Sequence, residues 1–459
     1  MGKKTGPSLN VVPLGGLGEF GMNMLLVNWG KTTLLVDAGV MFPGPELPGV
    51  AFVIPDLHYL KERVGHLTAV VLTHGHEDHV GALPYIWPLL EGCVYGSPLT
   101  LALVAPKLEE HGIQAQDRLW AVAPGDTINT GDFVIEFIRV THSMPDCLAL
   151  AIQTPAGVLV HTGDFKFDQT PPDGETSDLN RFSELGREGV LALFGDSTNV
   201  DRPGSTGSEL DVVDGFEEIF NKANGKILVA TFSSSLHRIQ IIANLTSQFG
   251  RKLAFVGRGV VRNTEIAERL GHLRLPAGLL IKESEVGDYH SENVVCVATG
   301  SQGEPRSALS RIAADRHPHV KLEQDDVVIF SARVIPGNER PINKLVNHIV
   351  HHGTEVIREG RNKLHVSGHG SVEELKLMLS LVRPRYFVPI HGEYRNLVEH
   401  ARVASNTMGN HSAVLVAEDG DVIHLGPDVG YLGNRVPVGR ILIDEKGAGE
   451  VSDDVLRQR

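Results

Sequence analysis

The chain has 459 residues, 42% hydrophobic and 21% charged, too many for one ordinary core, so two or three domains are expected. Forty-two basic against 56 acidic side chains give a net charge of −14, which argues against indiscriminate coating of nucleic acid but leaves room for a local basic groove or bound cations. No apolar run reaches membrane-span length, residues 1–6 lack the apolar core of a signal peptide, and Cys93, Cys147 and Cys296 form neither a disulfide framework nor a metal knuckle, so a cytoplasmic protein is expected.

From the N-terminus, short apolar runs punctuated by glycine and proline predict strands over 9–14, 24–28 and 33–37. Between the first two, Gly16-Leu17-Gly18-Glu19-Phe20-Gly21 matches a dinucleotide-binding pattern with Asp37 downstream. That fingerprint needs a helix opening at its last glycines, whereas the following segments read as two strands joined by the turn Trp29-Gly30-Lys31. A tight glycine turn is the expectation. A strand over 67–73, helices over 80–90 and 99–110, and strands over 133–140, 148–153, 158–162 and 190–194 follow.

A Gly/Ser/Pro-rich stretch at 199–207 marks a boundary. Beyond it strands alternate with helices: 226–232 leads into 233–245, 253–257 into 260–270, 294–299 into 305–314, and 327–332 into 341–352. This alternation predicts a mostly parallel sheet with helices on its faces. From about Lys363 the chain supplies another strand, a helix over 372–382 and a strand over 386–390 that ends on His391.

The run Thr73-His74-Gly75-His76-Glu77-Asp78-His79 closes an apolar strand. Imidazole nitrogens and carboxylate oxygens are the ligands a zinc-like ion prefers, and so many polar groups on one loop are costly to desolvate without a cation. These residues predict a metal site. Asp37, His74, His142, Asp164, Asp196 and His391 share one placement, at or just past the C-terminal end of an apolar run. Such ends are neighbours on one sheet edge, so the groups can converge. Taken singly, Asp164 also reads as a turn residue and His391 as the start of a loop.

With His-x-His-x-Asp-His at 74–79, and with segments 15–23, 73–83, 141–146, 161–166, 195–199, 366–370 and 389–393, the chain resembles the metallo-β-lactamase superfamily. More narrowly it resembles the β-CASP nucleases, and within them the ribonuclease J family, over nearly its whole length. The resemblance implies an α/β protein, an αββα metallo-β-lactamase fold with an inserted α/β β-CASP domain. The body would span 1–205 and 356–445, the insert 206–355, and a tail 446–459, with the usual C-terminal domain absent.

It also implies two Zn2+ per chain, with Mn2+ an alternative that the carboxylates suit. His74, His76 and His142 would hold one ion and Asp78, His79 and His391 the other, with Asp164 bridging. Asp37 would accept a hydrogen bond from a ligating histidine, and Glu77 would point away. His369 would be the general acid or oxyanion stabiliser, oriented by Asp196. The competing reading of His369 is a cap on the helix that follows.

Two junctions, 231–235 and 365–371, run into predicted helices, where free amides and hydroxyls bind anions, although serine there is also an ordinary N-cap. The resemblance implies that Ser233, Ser234 and Ser235, with His365, Val366, Ser367, Gly368 and His369, hold an RNA 5′-monophosphate. Arg258, Arg262, Arg306, Arg311 and Arg333 are candidates for the groove, each with a solvated surface role as its competitor.

The expected function is a two-metal ribonuclease, a 5′-to-3′ exonuclease favouring 5′-monophosphate ends with some endonuclease activity, in RNA decay and maturation. Expected partners are RNA, a second copy in a homodimer or homotetramer, and an RNA-degradation complex, with no membrane. One competitor is a metallo-hydrolase of DNA or of a small substrate. A small-substrate enzyme needs neither the insertion nor the Ser-Gly-His-Gly loop, while a 2′-hydroxyl sensor is not legible in a sequence. The other is a non-catalytic RNA-binding subunit, which would be expected to lose metal ligands, and all seven are present.

Overall fold

A computed structural model describes residues 8–444 apart from 45, 46, 48, 65, 66, 336, 359–362, 410 and 411. Residues 1–6 and the tail assigned to 446–459 lie outside the described residues.

Apolar runs of five to seven residues build the centre of two facing sheets. The first runs in the order Gly430–Arg435, Asp421–Leu425, Leu9–Gly15, Met24–Trp29, Thr32–Val36, Leu67–Val71, Leu90–Gly96, Leu119–Ala121. It is antiparallel up to Thr32–Val36 and parallel beyond. The second runs Ala413–Val414, Tyr386–Ile390, Val190–Asp196, Gly157–His161, all parallel, then Leu148–Thr154, Phe133–Arg139 and Thr127–Thr130, antiparallel.

Leu9, Val11, Leu34 and Val71 of the first sheet meet Phe133, Phe137, Phe194 and Val388 of the second. One residue along, Val12, Leu35 and Val70 face outward and are covered by Leu101, Val104 and Leu108 of the helix Pro98–Glu110. Val160 and Leu193 on the outer face of the second sheet are covered by helices Leu179–Glu188 and Val372–Val382. Burial on both faces explains why these strands are continuously apolar rather than alternating. The layers are helix, sheet, sheet, helix.

A third sheet is wholly parallel, in the order Leu280–Ile281, Lys252–Val256, Val294–Ala298, Ile227–Ala230, Val327–Phe330, Glu355–Ile357. Val229 and Val297 pack against helices Val213–Lys222, Leu236–Gln248 and Arg258–Arg269, while Leu228 and Cys296 pack against Ala308–Ala313 and Glu339–Val350. Each strand–helix pair expected between 226 and 352 is found, with ends moved by a few residues.

Two expectations fail for stated reasons. Residues 80–90 are not one helix. They hold the end of a single turn Glu77–Val80, a second turn Leu83–Ile86, a 3-10 turn Trp87–Leu89 and the start of a strand. Pro84 and Pro88 lack the N–H groups a continuous helix needs, and each starts a new turn instead. The strand expected from Lys363 is extended chain without a ladder. The Leu364 carbonyl is taken by side chains, Arg238 Nη1 at 3.0 Å and Ser331 Oγ at 2.7 Å. The glycine-rich segment opens no helix. Gly16, Gly18 and Gly21 all have positive φ, and the strands after it form a hairpin through Gly30.

The parallel sheet is joined to the paired sheets by buried charge. Lys166 lies 3.3 Å from Asp168 and 3.8 Å from Glu209, and Glu209 accepts two hydrogen bonds from Arg238. At the periphery, His237 meets Asp173 at 3.0 Å and His272 meets Asp146 at 3.1 Å. Among the described residues no helix is long and apolar enough to cross a membrane.

The hydrogen bond from His272 to Asp146 raises the His272 pKa above its ordinary value against partial burial. A raised folded-state pKa stabilises the fold below the unfolded value, and that contribution is lost as pH rises through the folded value. His272→Gln should therefore lower stability by about 0.5–1 kcal/mol near about pH 5 and by almost nothing near about pH 9, read from urea melts at the two pH values.

Candidate metal centre

Strands Thr32–Val36 and Leu67–Val71 run parallel, and Phe133–Arg139, Gly157–His161, Val190–Asp196 and Tyr386–Ile390 share one direction. Their C-terminal ends open on one edge. Asp37 leaves the first of them with φ of 60°, and His74 follows the second. The turn Glu77–Val80 carries Asp78 and His79. His142, Asp164 and His391 follow their strands within three residues, Asp196 closes its own, and His391 has φ of 56°. Left-handed backbone at a non-glycine residue is strained and persists only where its surroundings hold it. Gly39 packs under the turn so tightly that an added Cβ would lie 1.6 Å from the Asp78 carbonyl oxygen.

Among the described residues three groups share Asp164, with the ligand atoms of each within 4.8 Å of one another: His74, His76, His142, Asp164, then Asp78, His79, Asp164, His391, and, at the rim, Asp164, Asp196, His369, His391. In the first, His74 Nε2 and His142 Nε2 lie 3.0 and 3.2 Å from His76 Nδ1, and 3.7 and 3.8 Å from Asp164 Oδ2. In the second, Asp164 Oδ2 is 3.2 Å from His79 Nε2 and 3.6 Å from His391 Nε2, which is also 3.6 Å from Asp78 Oδ2. Glu77 turns away to pair with Lys107 at 2.6 Å.

Hydrogen bonds on the far side of each ring decide which nitrogen carries the proton. His79 Nδ1 donates to Asp37 Oδ2 at 2.8 Å, and His142 Nδ1 donates to the Gly368 carbonyl at 2.7 Å. Thr73 Oγ donates to Asp37, so it accepts from His74 Nδ1 at 3.0 Å. Thr198 Oγ donates to Asp196 and accepts from His391 Nδ1 at 2.7 Å in the same way. In each of these four rings the lone pair is therefore on Nε2 and turned inward, with Asn23 Nδ2 3.0 Å from that of His79. His391 Nε2 is buried without a hydrogen-bond partner. Inward lone pairs about 3 Å apart repel unless a cation lies between them, so this donor set fits a divalent metal.

Electrostatics divide the first two groups. Burial holds His74 and His142 well below the ordinary imidazole value and His76 at about 4, so these rings are neutral, the form in which an imidazole can bind a metal. For His391, burial opposes charge, but the nearby carboxylates of Asp164 and Asp78 push the ring up to about 9. Burial would raise Asp164, yet His391 and His79 hold it far below the usual carboxylate range.

His369 stands at the rim, with Nδ1 2.8 Å from Asp196 Oδ2 and Nε2 3.9 Å from Asp164 Oδ2. It does not cap the next helix, whose N-cap is Ser371 in a capping box with Glu374. That box corrects one expectation. The first amides of the helix Val372–Val382 are already committed, Val372 N to the Arg202 carbonyl at 3.0 Å and Glu373 N to the Gly204 carbonyl at 3.1 Å, while Glu374 accepts from Ser371 N at 2.8 Å. The loop 365–369 is held instead by Asn199 Nδ2, which donates to Ser367 Oγ and to the His369 carbonyl. Ser233 is held by Asn263 Nδ2 at 3.1 Å, and the helix after Ser235 starts without a side-chain cap. Arg238, on that helix, reaches Leu364 and so ties the two loops together.

Three family models match: "Metallo-beta-lactamase superfamily" over 17–215, "Ribonuclease J, beta-CASP domain" over 224–349 and "Zn-dependent metallo-hydrolase RNA specificity domain" over 355–415. Ribonuclease J of Thermus thermophilus is 39% identical over 467 residues, covering 100% of this chain and 81% of that protein. The chain belongs to the ribonuclease J family. Ribonuclease J2 of Bacillus subtilis is 37% identical, covering 100% of this chain and 82% of its own. Ribonuclease J of Helicobacter pylori strain B128 is 38% identical over 98% of this chain, which spans 66% of that relative, just under two thirds. A solved protein of unknown function from Enterococcus faecalis V583 shares the fold, with a TM-score of 0.64 at 17% identity over 91% of this chain and 100% of its own.

In this member of the ribonuclease J family, the sequence motifs contain Asn23, Thr73, Thr198 and Gly368, but nothing in them marks these residues as supports of the histidine rings. Asn23 Nδ2 lies 3.4 Å from Asp78 Oδ2 and 3.0 Å from His79 Nε2. Nothing in its residue type separates it from an ordinary turn asparagine. Gly368 has a steric role as well, since a Cβ there would fall 2.6 Å from the His142 ring. Thr198→Val keeps the shape but removes the acceptor that fixes His391 and a donor to Asp196. It should weaken retention of a divalent metal by roughly 10- to 100-fold with the fold intact, measured by chelator competition and circular dichroism.

Proposed function

We propose that the protein is a two-metal ribonuclease, a 5′-to-3′ exonuclease that favours 5′-monophosphate ends and keeps some endonuclease activity, in RNA decay and maturation in the cytoplasm. The observation that carries this reading is the pair of buried ligand groups sharing Asp164, beside a histidine held by Asp196. The ribonuclease names of the relatives support the substrate class.

In this reading His74, His76 and His142 hold one ion, Asp78, His79 and His391 the other, and Asp164 bridges. Zn2+ suits the imidazole-rich donor set, and Mn2+ suits its carboxylates. What such ions supply when bound is Lewis acidity toward the phosphate and toward water. Asp37, through His79, and the Gly368 carbonyl, through His142, keep those rings oriented. His369 Nδ1 is committed to Asp196, which leaves Nε2 to protonate the leaving oxygen or to hydrogen-bond the phosphate.

The body spans 1–205 and 356–445 and the insert 206–355, with RNA in the cleft between them. Ser233, Ser234 and Ser235 with His365–His369 take the 5′-monophosphate, supported by the Arg238 link between the two loops. The partners are RNA, a second copy in a homodimer or homotetramer, and an RNA-degradation complex.

The test is cleavage of one labelled RNA bearing a 5′-monophosphate or a 5′-triphosphate, with Zn2+, Mn2+ or chelator. Mononucleotides released preferentially from the monophosphate form, and lost with chelator, are expected. Internal cuts indifferent to the 5′ end would remove the pocket from the reading, and cleavage of DNA alone would overturn it. His76→Ala should lose metal and cleavage together. His369→Ala should keep its metal and slow turnover by about 10²–10⁴-fold, as loss of a general acid does.

A further inference from the structure

Beside the ligand set lies a cavity of ≈ 20 Å³ whose walls include Asn23, Asp37, His79, His161, Asp164 and His391. His161 is the last residue of the strand Gly157–His161, three positions before Asp164, and is 6% exposed. No step proposed above uses it. Its Nδ1 accepts the Gly163 backbone N–H at 3.0 Å. That bond fixes the tautomer, because a ring nitrogen accepting a hydrogen bond carries no proton, so the hydrogen is on Nε2.

Nε2–H therefore has to donate, and among the described residues it has no protein acceptor. His161 lines the cavity, which is the space within reach of that donor. The cavity exceeds the roughly 10–15 Å³ that one water requires, and a water needs two to four polar partners. Asp37 Oδ1 takes only the Thr73 N–H, while Oδ2 takes Thr73 Oγ and His79 Nδ1, so Oδ1 keeps a free lone pair. Asp164 lines the same wall, and its ion-pair contacts all run through Oδ2. His79, Asp164 and His391 of the second ligand group share this wall, while a ring N–H is a donor and offers a metal ion no lone pair on the His161 side. Leu17, Met24, Leu25, Val36 and Ile390 form the apolar part of the wall, and the polar groups of the rest are the two to four partners a water needs.

We propose that the cavity holds one structural water, which accepts from His161 Nε2–H and donates to the carboxylates of Asp37 and Asp164, making His161 a positioning residue for Asp164. The water occupies one face of Asp164 and leaves the other to the two ligand groups. Without it the carboxylate is free to rotate about its last torsion, and both groups lose the orientation of the ligand they share. This consequence, though not the water itself, rests on the two-metal reading.

The test compares His161→Leu, which fills the space and removes the donor, with His161→Gln, which restores an N–H at the same reach. Metal affinity is read by competition with a chromogenic chelator, without RNA, and the wild-type protein is crystallised for a high-resolution map. The Leu variant should bind metal about 10- to 100-fold more weakly, with Gln recovering most of the loss, and the map should show a water about 3 Å from Nε2. A dry cavity, a Leu variant with wild-type affinity, or a Gln variant as weak as Leu would overturn the proposal. If the wild type held no metal, the two-metal reading would fall while the map still judged His161. If it held metal but cut no RNA, the ribonuclease reading would fall and this one would stand.

Discussion

Imidazole lone pairs turned toward one another in a buried pocket are the constraint on which this molecule depends. His74, His79, His142 and His391 each give their Nδ1 proton to an outer partner, which turns the Nε2 lone pair inward. Such an arrangement is unfavourable in isolation and becomes favourable only with a cation between the rings. The outer partners are themselves held. Asp37 is fixed by both donors of Thr73, and Asp196 by the N–H and the hydroxyl of Thr198. Orientation thus passes outward through two layers of hydrogen bonds into strands whose other faces are packed in the core.

The strained backbone is placed where that chain of support begins. Asp37 and His391 both leave their strands in left-handed conformation. The segment after His391 is pinned, since Gly392 and Glu393 pair with Leu17 and Gly18 in a two-residue ladder. The glycine-rich stretch that mimics a nucleotide fingerprint has this role. Its glycines let the chain turn back and pair beside His391, so the φ values above zero are needed for backbone approach rather than for phosphate.

A second buried assembly sets the distance between the two candidate substrate loops. Arg238 bonds Glu209, Ser331 and the Leu364 carbonyl, and Lys166 joins the same cluster beside Asp168. Removing one partner from a buried charged network costs about 3–5 kcal/mol, because the charge left behind has no water. Net stability is a weak reason for such a network. Specificity of placement is the better one here, since it connects the helix after Ser235 with the segment before His365.

The sequence by itself determined the layers and the inventory of the site. Apolar runs of strand length, strand–helix alternation after the boundary at 199–207, and polar ligands at the ends of those runs are all local patterns, set by side-chain period and chain direction. It did not reveal the breakup of 80–90, where two prolines each begin a new turn, or the extended chain at Leu364, whose carbonyl is satisfied by side chains more than thirty residues away. Only the tertiary structure decided which nitrogen of each histidine faces inward, and that Thr73, Thr198 and the Gly368 carbonyl make the choice. A tautomer depends on a hydrogen bond between groups up to 226 residues apart. No local pattern encodes that proximity, because it is produced by the packing of two sheets.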